Sequence, residues 1–75
     1  MAAKSTETEV YRALETILKN SEAKALNDAV NYAKAGMYLH GEALRIQVLY
    51  VLNNMAHWRG EDAKQVRATL KAFTK

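Results

Sequence analysis

Apolar positions recur at helical spacing along almost the whole chain. Val10, Leu14, Ile17 and Leu18 form a first stripe, with Tyr11 on its flank. Thr6 with Glu9 three residues on has capping-box spacing, in which hydroxyl and carboxylate each satisfy an unpaired amide at a helix start. The stripe breaks at Asn20-Ser21. Carried on as one helix, the apolar face would rotate by more than a quarter turn to reach Leu26, Ala29 and Ala33. This slip predicts a turn, with Ser21 as N-cap of a second helix and Glu22 beside its positive end. One bent helix over 6–35 is the alternative.

The second stripe, Leu26, Ala29, Val30 and Ala33 with Met37 beyond, is narrow and small. Gly36 is placed as its stop, in the left-handed conformation that favours glycine. In the third segment Leu44, Val48, Val51, Leu52, Met55 and Trp58 occupy one broad arc. Leu49 and Ala56 widen the arc, while Ile46 and Tyr50 fall outside it. Residues 44–48 also alternate as a strand would, but helical spacing persists to Trp58 and no hairpin turn follows. An arc this wide predicts a central helix with several neighbours. Gly60 marks a corner, and Ala63, Val66, Leu70 and Phe73 form the stripe of a last helix that opens on Glu61 and Asp62. The expected fold is all-α, a compact bundle of three or four short helices over about 6–19, 21–35, 41–59 and 61–74. It makes one domain over 1–75, with 1–5 and 74–75 expected to be flexible.

Composition sharpens this picture in two ways. The chain has 75 residues, 49% of them apolar, but about a third of those are Ala. At about 25 cal/mol per Å², apolar burial then roughly cancels an ordering cost of about 1.5 kcal/mol per residue. Such a fold needs tight helix packing or a partner, and self-association would serve. The absence of Cys excludes disulfides and thiolate metal sites, and the absence of Pro favours helices. The longest apolar run, Val48 to Leu52, is too short to span a bilayer, and the polar N-terminus lacks an apolar signal core. The expectation is a soluble cytoplasmic protein without a membrane partner.

The net charge of +3 belongs entirely to residues 41–75, since the charges of 1–40 cancel. Lys64, Arg67, Lys71 and Lys75 fall within about a quarter of a helix circumference, with Arg59 just before them. They form a candidate nucleic-acid surface that could follow a phosphate backbone. A solvated helix face is the simpler explanation, since no aromatics interleave with them. Trp58 beside Arg59 has the composition of a protein hot spot, although Trp58 also continues the core phase of Val51 and Met55. Tyr32, Tyr38 and Tyr50 are placed with Trp58 as candidate protein-contact residues. His40 and His57 lack partners at metal-ligand spacing, no Gly-rich phosphate loop exists, and Ser5 and Ser21 look like caps. No cofactor, metal or catalytic residue is expected, and the chain is read as not an enzyme.

Residues 49–64 contain Asn54, Trp58-Arg59-Gly60 and Ala63-Lys64 in the arrangement N-x-x-x-W-R-G-x-x-A-K. This segment resembles the C-terminal part of a group of small, largely uncharacterised tailed-phage proteins. The resemblance covers at most the last 35 residues and carries no site. It implies expression in an infected bacterial cell, action by binding a host or phage protein or nucleic acid, and a fixed corner at Trp58-Arg59-Gly60. The leading expectation is a small accessory protein that binds another protein or itself. Nucleic-acid binding through Arg59, Lys64, Arg67, Lys71 and Lys75 is the alternative.

Overall fold

The computed structural model describes residues 5–75. Four helices follow in order: α1 (Glu7–Lys19), α2 (Asn27–Gly36), α3 (Gly41–Asn54) and α4 (Glu61–Thr74), with a 3-10 turn at Lys24–Leu26 before α2. The all-α bundle is present, and it has four members. Each helix packs mainly on two others: α1 on α2 and α4, and α3 on α2 and α4. The helices therefore close a ring in chain order, with α1 and α3 on a diagonal. The predicted central position of α3 is not what the structure has.

The core holds Val10, Leu14 and Ile17 from α1, Leu26, Ala29 and Ala33 around α2, Leu44, Val48 and Val51 from α3, and Val66 and Leu70 from α4. Met55 and Trp58 enter it from the α3–α4 corner. Among the described residues no buried side-chain nitrogen or oxygen lacks a hydrogen-bond partner.

The start of α1 forms as its spacing predicts. The Glu9 amide donates to Thr6 Oγ1 at 3.2 Å, and the Thr6 amide donates to Glu9 Oε1 at 2.8 Å. Ser5 Oγ donates to the Thr69 carbonyl at 2.8 Å, which ties the entry of α1 to α4 rather than capping a helix. Residues 1–4 of the expected flexible terminus lie outside the described residues.

The turn after α1 is present, but Ser21 is not an N-cap and α2 begins six residues later. Backbone amides at Ser21, Ala23 and Leu26 each donate to the carbonyl three residues back. This tighter winding carries Leu26 into the core, where it is fully buried. Burial of Leu26 thus overrides the helical start that Ser21-Glu22 offers locally.

Gly36 is also corrected. It is the last residue of α2, and positive φ occurs instead at Gly41 (54°) and Gly60 (116°). Gly36 is needed for space: a Cβ there would lie 2.9 Å from Leu14 Cδ1 and 3.9 Å from Leu44 Cδ1. The missing side chain lets the end of α2 sit close against Leu14 of α1. A second tie joins α1 to the start of α3. The Gly41 amide donates to Glu7 Oε2 at 2.6 Å, placing a carboxylate at the positive end of α3. Tyr11 Oη donates to the Leu39 carbonyl and lies 3.2 Å from His40 Nδ1.

The third helix ends at Asn54, five residues short of its predicted end. Met55 donates back to Leu52, and Trp58 donates to Met55, so the chain leaves helical geometry while Trp58 stays in the core. The cause lies in α4. Arg67 donates through its guanidinium to the Trp58 carbonyl at 2.9 Å and to the Met55 carbonyl at 3.3 Å. A cation thus satisfies the carbonyls at the α3 terminus, whose own last turn has no basic residue.

Candidate functional site

The apolar breadth of α3 has a different origin from the one its pattern suggests. Leu44, Val48, Val51 and Met55 are fully buried along its inward side. Ile46, Leu49 and Tyr50 lie on the opposite side and are 44%, 41% and 49% exposed. Among the described residues α3 packs mainly on α2 and α4, and its outward apolar side faces neither.

Tyr32 of α2 extends this face. Its ring stacks on that of Tyr50, with centroids 5.7 Å apart and planes inclined by 17°. Offset stacking of this kind adds about 0.5–1.5 kcal/mol beyond area burial. Beneath the pair the main chain is tied, since Gln47 Nε2 donates to the Tyr32 carbonyl at 3.0 Å, linking α3 to α2, and Asn54 Nδ2 donates to the Tyr50 carbonyl at 2.8 Å. Asn54 thereby finds its acceptor within α3, while Asn53 stays exposed amid the apolar side. Two aromatic rings on different helices thus stack on each other while 38% and 49% exposed. Ile46 and Leu49 continue the surface along α3.

At the N-terminal end of the face Arg45 forms a forked ion pair with Glu42, at 3.0 Å and 2.5 Å. The hydrogen bonds from the guanidinium hold the Glu42 carboxyl below the usual carboxylate range. No acid or base interrupts residues 46–54.

The structure sorts the other candidates. Tyr38 is 84% exposed in the α2–α3 connection and takes no part in the stacked pair. Trp58 is only 7% exposed, so it fills the core corner and is not a contact residue. Among the basic residues, Arg67 is half-buried and engaged with the α3 carbonyls, which removes it from the proposed nucleic-acid ridge. Arg59, Lys64, Lys71 and Lys75 remain exposed.

A groove of about 270 Å³ lies between α1 and α4, lined by Glu9, Arg12, Thr16, Asp62, Gln65 and Thr69 above Ala13 and Val66. It falls just below the about 300–1,000 Å³ usual for small-molecule sites. Glu9 is already committed to capping α1. Among the described residues no cluster of three or more His, Cys, Asp or Glu is placed to hold a metal ion. His40 Nδ1 stands 4.0 Å from Glu7 Oε1, but that carboxylate is held by the Gly41 amide. No described helix is long and apolar enough to cross a membrane.

The outward side of α3 with Tyr32 is the feature that sequence reasoning missed as a unit. Ile46 and Tyr50 were visible as outliers from the core arc, but their exposure depends on which helices flank α3. Comparison with protein-family models, curated proteins and solved structures finds no match to this chain.

Proposed function

We propose that this protein is a small non-enzymatic accessory protein that binds another protein through Tyr32, Ile46, Leu49 and Tyr50. The observation that carries this reading is an apolar α3 surface directly opposite the core, extended by a stacked tyrosine pair. Burying such a surface is favourable, and half-exposed aromatics in fixed positions bind with little further loss of freedom. The resemblance of residues 49–64 to small tailed-phage proteins supports a setting in an infected bacterial cell, with a host or phage protein as partner.

A direct test passes the tagged protein through bacterial lysate, with and without nuclease, beside its Leu49→Glu variant. A discrete protein retained by the wild type after nuclease treatment, and lost from the variant, supports the proposal. Retention that nuclease abolishes, or that Leu49→Glu leaves unchanged, contradicts it. Nucleic-acid binding is the second reading, favoured by the exposed Lys64, Lys71 and Lys75 on one side of α4. It predicts a shift of DNA mobility at low salt that Lys64→Glu with Lys71→Glu removes.

A further inference from the structure

The apolar face of α3 and the basic residues of α4 lie on adjoining helices. Arg67 reaches the carbonyls of Met55 and Trp58, so the side of α4 that carries Arg67 is turned toward the end of α3. Lys64, Lys71 and Lys75 lie three before, four after and eight after Arg67, which puts them on that same side. All three are exposed. Arg45, on the α3 flank, is half-buried and points its guanidinium at Glu42. Leu49 occupies the shoulder of α3 between its outward side and its buried side and is exposed. The surface therefore runs in order from the Tyr32–Tyr50 stack across Ile46 and Leu49 to a cationic edge on α4.

Resting on the protein-binding reading above, we infer that the occupant of this face is an amphipathic helix whose apolar stripe is bordered along one edge by Asp and Glu. The apolar stripe takes Tyr32, Ile46, Leu49 and Tyr50, and the acidic edge takes Lys64, Lys71 and Lys75. Helix-in-groove recognition reads anchors at i, i+3, i+4 and i+7, and Ile46, Leu49 and Tyr50 span about one turn of α3, enough to seat one such cluster of anchors beside Tyr32. The charge on the α4 edge decides the polarity of the partner and speeds encounter at low salt. Single-stranded nucleic acid fits less well. Tyr32 and Tyr50 already stack on each other, and the aliphatic Ile46 and Leu49 offer bases no flat partner. A second copy fits less well too, because the face offers three lysines little acid of its own: Glu42 is held by Arg45, and Asp28 stands alone one turn before Tyr32.

The test is fluorescence anisotropy of the whole chain against three labelled probes: a helical peptide with a Leu stripe and a Glu edge, the same peptide with a Lys edge, and a single-stranded oligonucleotide. The expected result is binding of the Glu-edged peptide at least about tenfold tighter than the Lys-edged one, a difference of about 1.4 kcal/mol. Leu49→Glu weakens that binding about tenfold or more, Lys71→Glu weakens it several-fold, and both variants keep the wild-type helical content and melting point. Raising salt from about 50 to about 300 mM reduces the affinity several-fold. Equal binding of both peptides overturns the acidic edge, as does binding of the oligonucleotide alone. No binding of either peptide overturns the inference, while lysate capture that Leu49→Glu abolishes would still uphold the protein-binding reading. Light scattering that shows a dimer lost on Leu49→Glu overturns it in favour of a second copy.

Discussion

Replacing Arg67 by Met separates the structural cation of α4 from its exposed lysines. Met keeps most of the aliphatic stem but removes both guanidinium hydrogen bonds. The bond to Trp58 at 2.9 Å is well formed, and the bond to Met55 at 3.3 Å is long. A hydrogen bond to a charged group contributes about 1.5–3 kcal/mol, and a buried carbonyl left unpaired costs about 1–3 kcal/mol. Arg67 is half-buried, so water reaches part of the site and recovers some of that loss. The α3 terminus has no other basic residue in its last turn to take over. The net destabilisation is therefore about 1–2 kcal/mol. For a domain of this size that lowers the melting temperature by about 5–15 °C. Lys71→Met, on the same side of α4 but exposed and without a partner carbonyl, changes stability by less than about 0.5 kcal/mol. Circular dichroism melting of the two variants checks the contrast. If Arg67→Met melts with the wild type, or Lys71→Met falls as far, then Arg67 does not terminate α3 and belongs with the surface cations after all.

Gly36→Ala gains about 1 kcal/mol of helix propensity but forces a methyl against Leu14, for a net loss of about 1 kcal/mol. In a Leu14→Ala background the same change is stabilising, and a double-mutant cycle by urea unfolding reads this coupling. Gly60→Ala costs about 1–3 kcal/mol because φ of 116° strains any residue with a Cβ, and thermal melting measures it. Tyr11 is raised above its ordinary value first by burial and then by Glu7, so its neutral form is favoured in the folded state. Its stabilising effect is full below a pH of about 10 and is lost as pH rises through the raised pKa, so Tyr11→Phe should flatten the alkaline limb of a melting-temperature profile. Ile46→Glu, on the exposed side of α3, leaves the unfolding free energy from urea titration within about 0.5 kcal/mol of wild type.

The elements that were legible in the sequence are those whose causes are local. Thr6 and Glu9 cap α1 from within four residues, and Gly60 followed by Glu61 and Asp62 opens α4 where spacing placed it. The boundaries that moved have distant causes. Burial of Leu26 delays α2, and Arg67, nine residues beyond Trp58, fixes the corner after α3. Gly36 was noticed for the wrong reason, since a close approach of α2 to Leu14 of α1 leaves no mark in the local sequence. The same limit applies to the candidate face. Tyr32 and Tyr50 were legible one by one as outliers from their core stripes, but their stacking requires α2 and α3 to be neighbours. The breadth of apolar positions on α3 was also plain, yet a pattern does not say whether a wide arc meets more helices of its own chain or none. Ring closure in chain order leaves the outward side bare.

The central claim is that a protein partner docks on the outward side of α3, and site-specific photo-crosslinking tests it most directly. A photoreactive phenylalanine analogue placed at Tyr50 is irradiated in nuclease-treated bacterial lysate, beside the same group placed at Glu15, exposed on α1. The expected result is a discrete protein adduct from position 50 that Leu49→Glu suppresses, with none from position 15. An adduct from position 15 alone, or an adduct from position 50 that Leu49→Glu leaves unchanged, would contradict it.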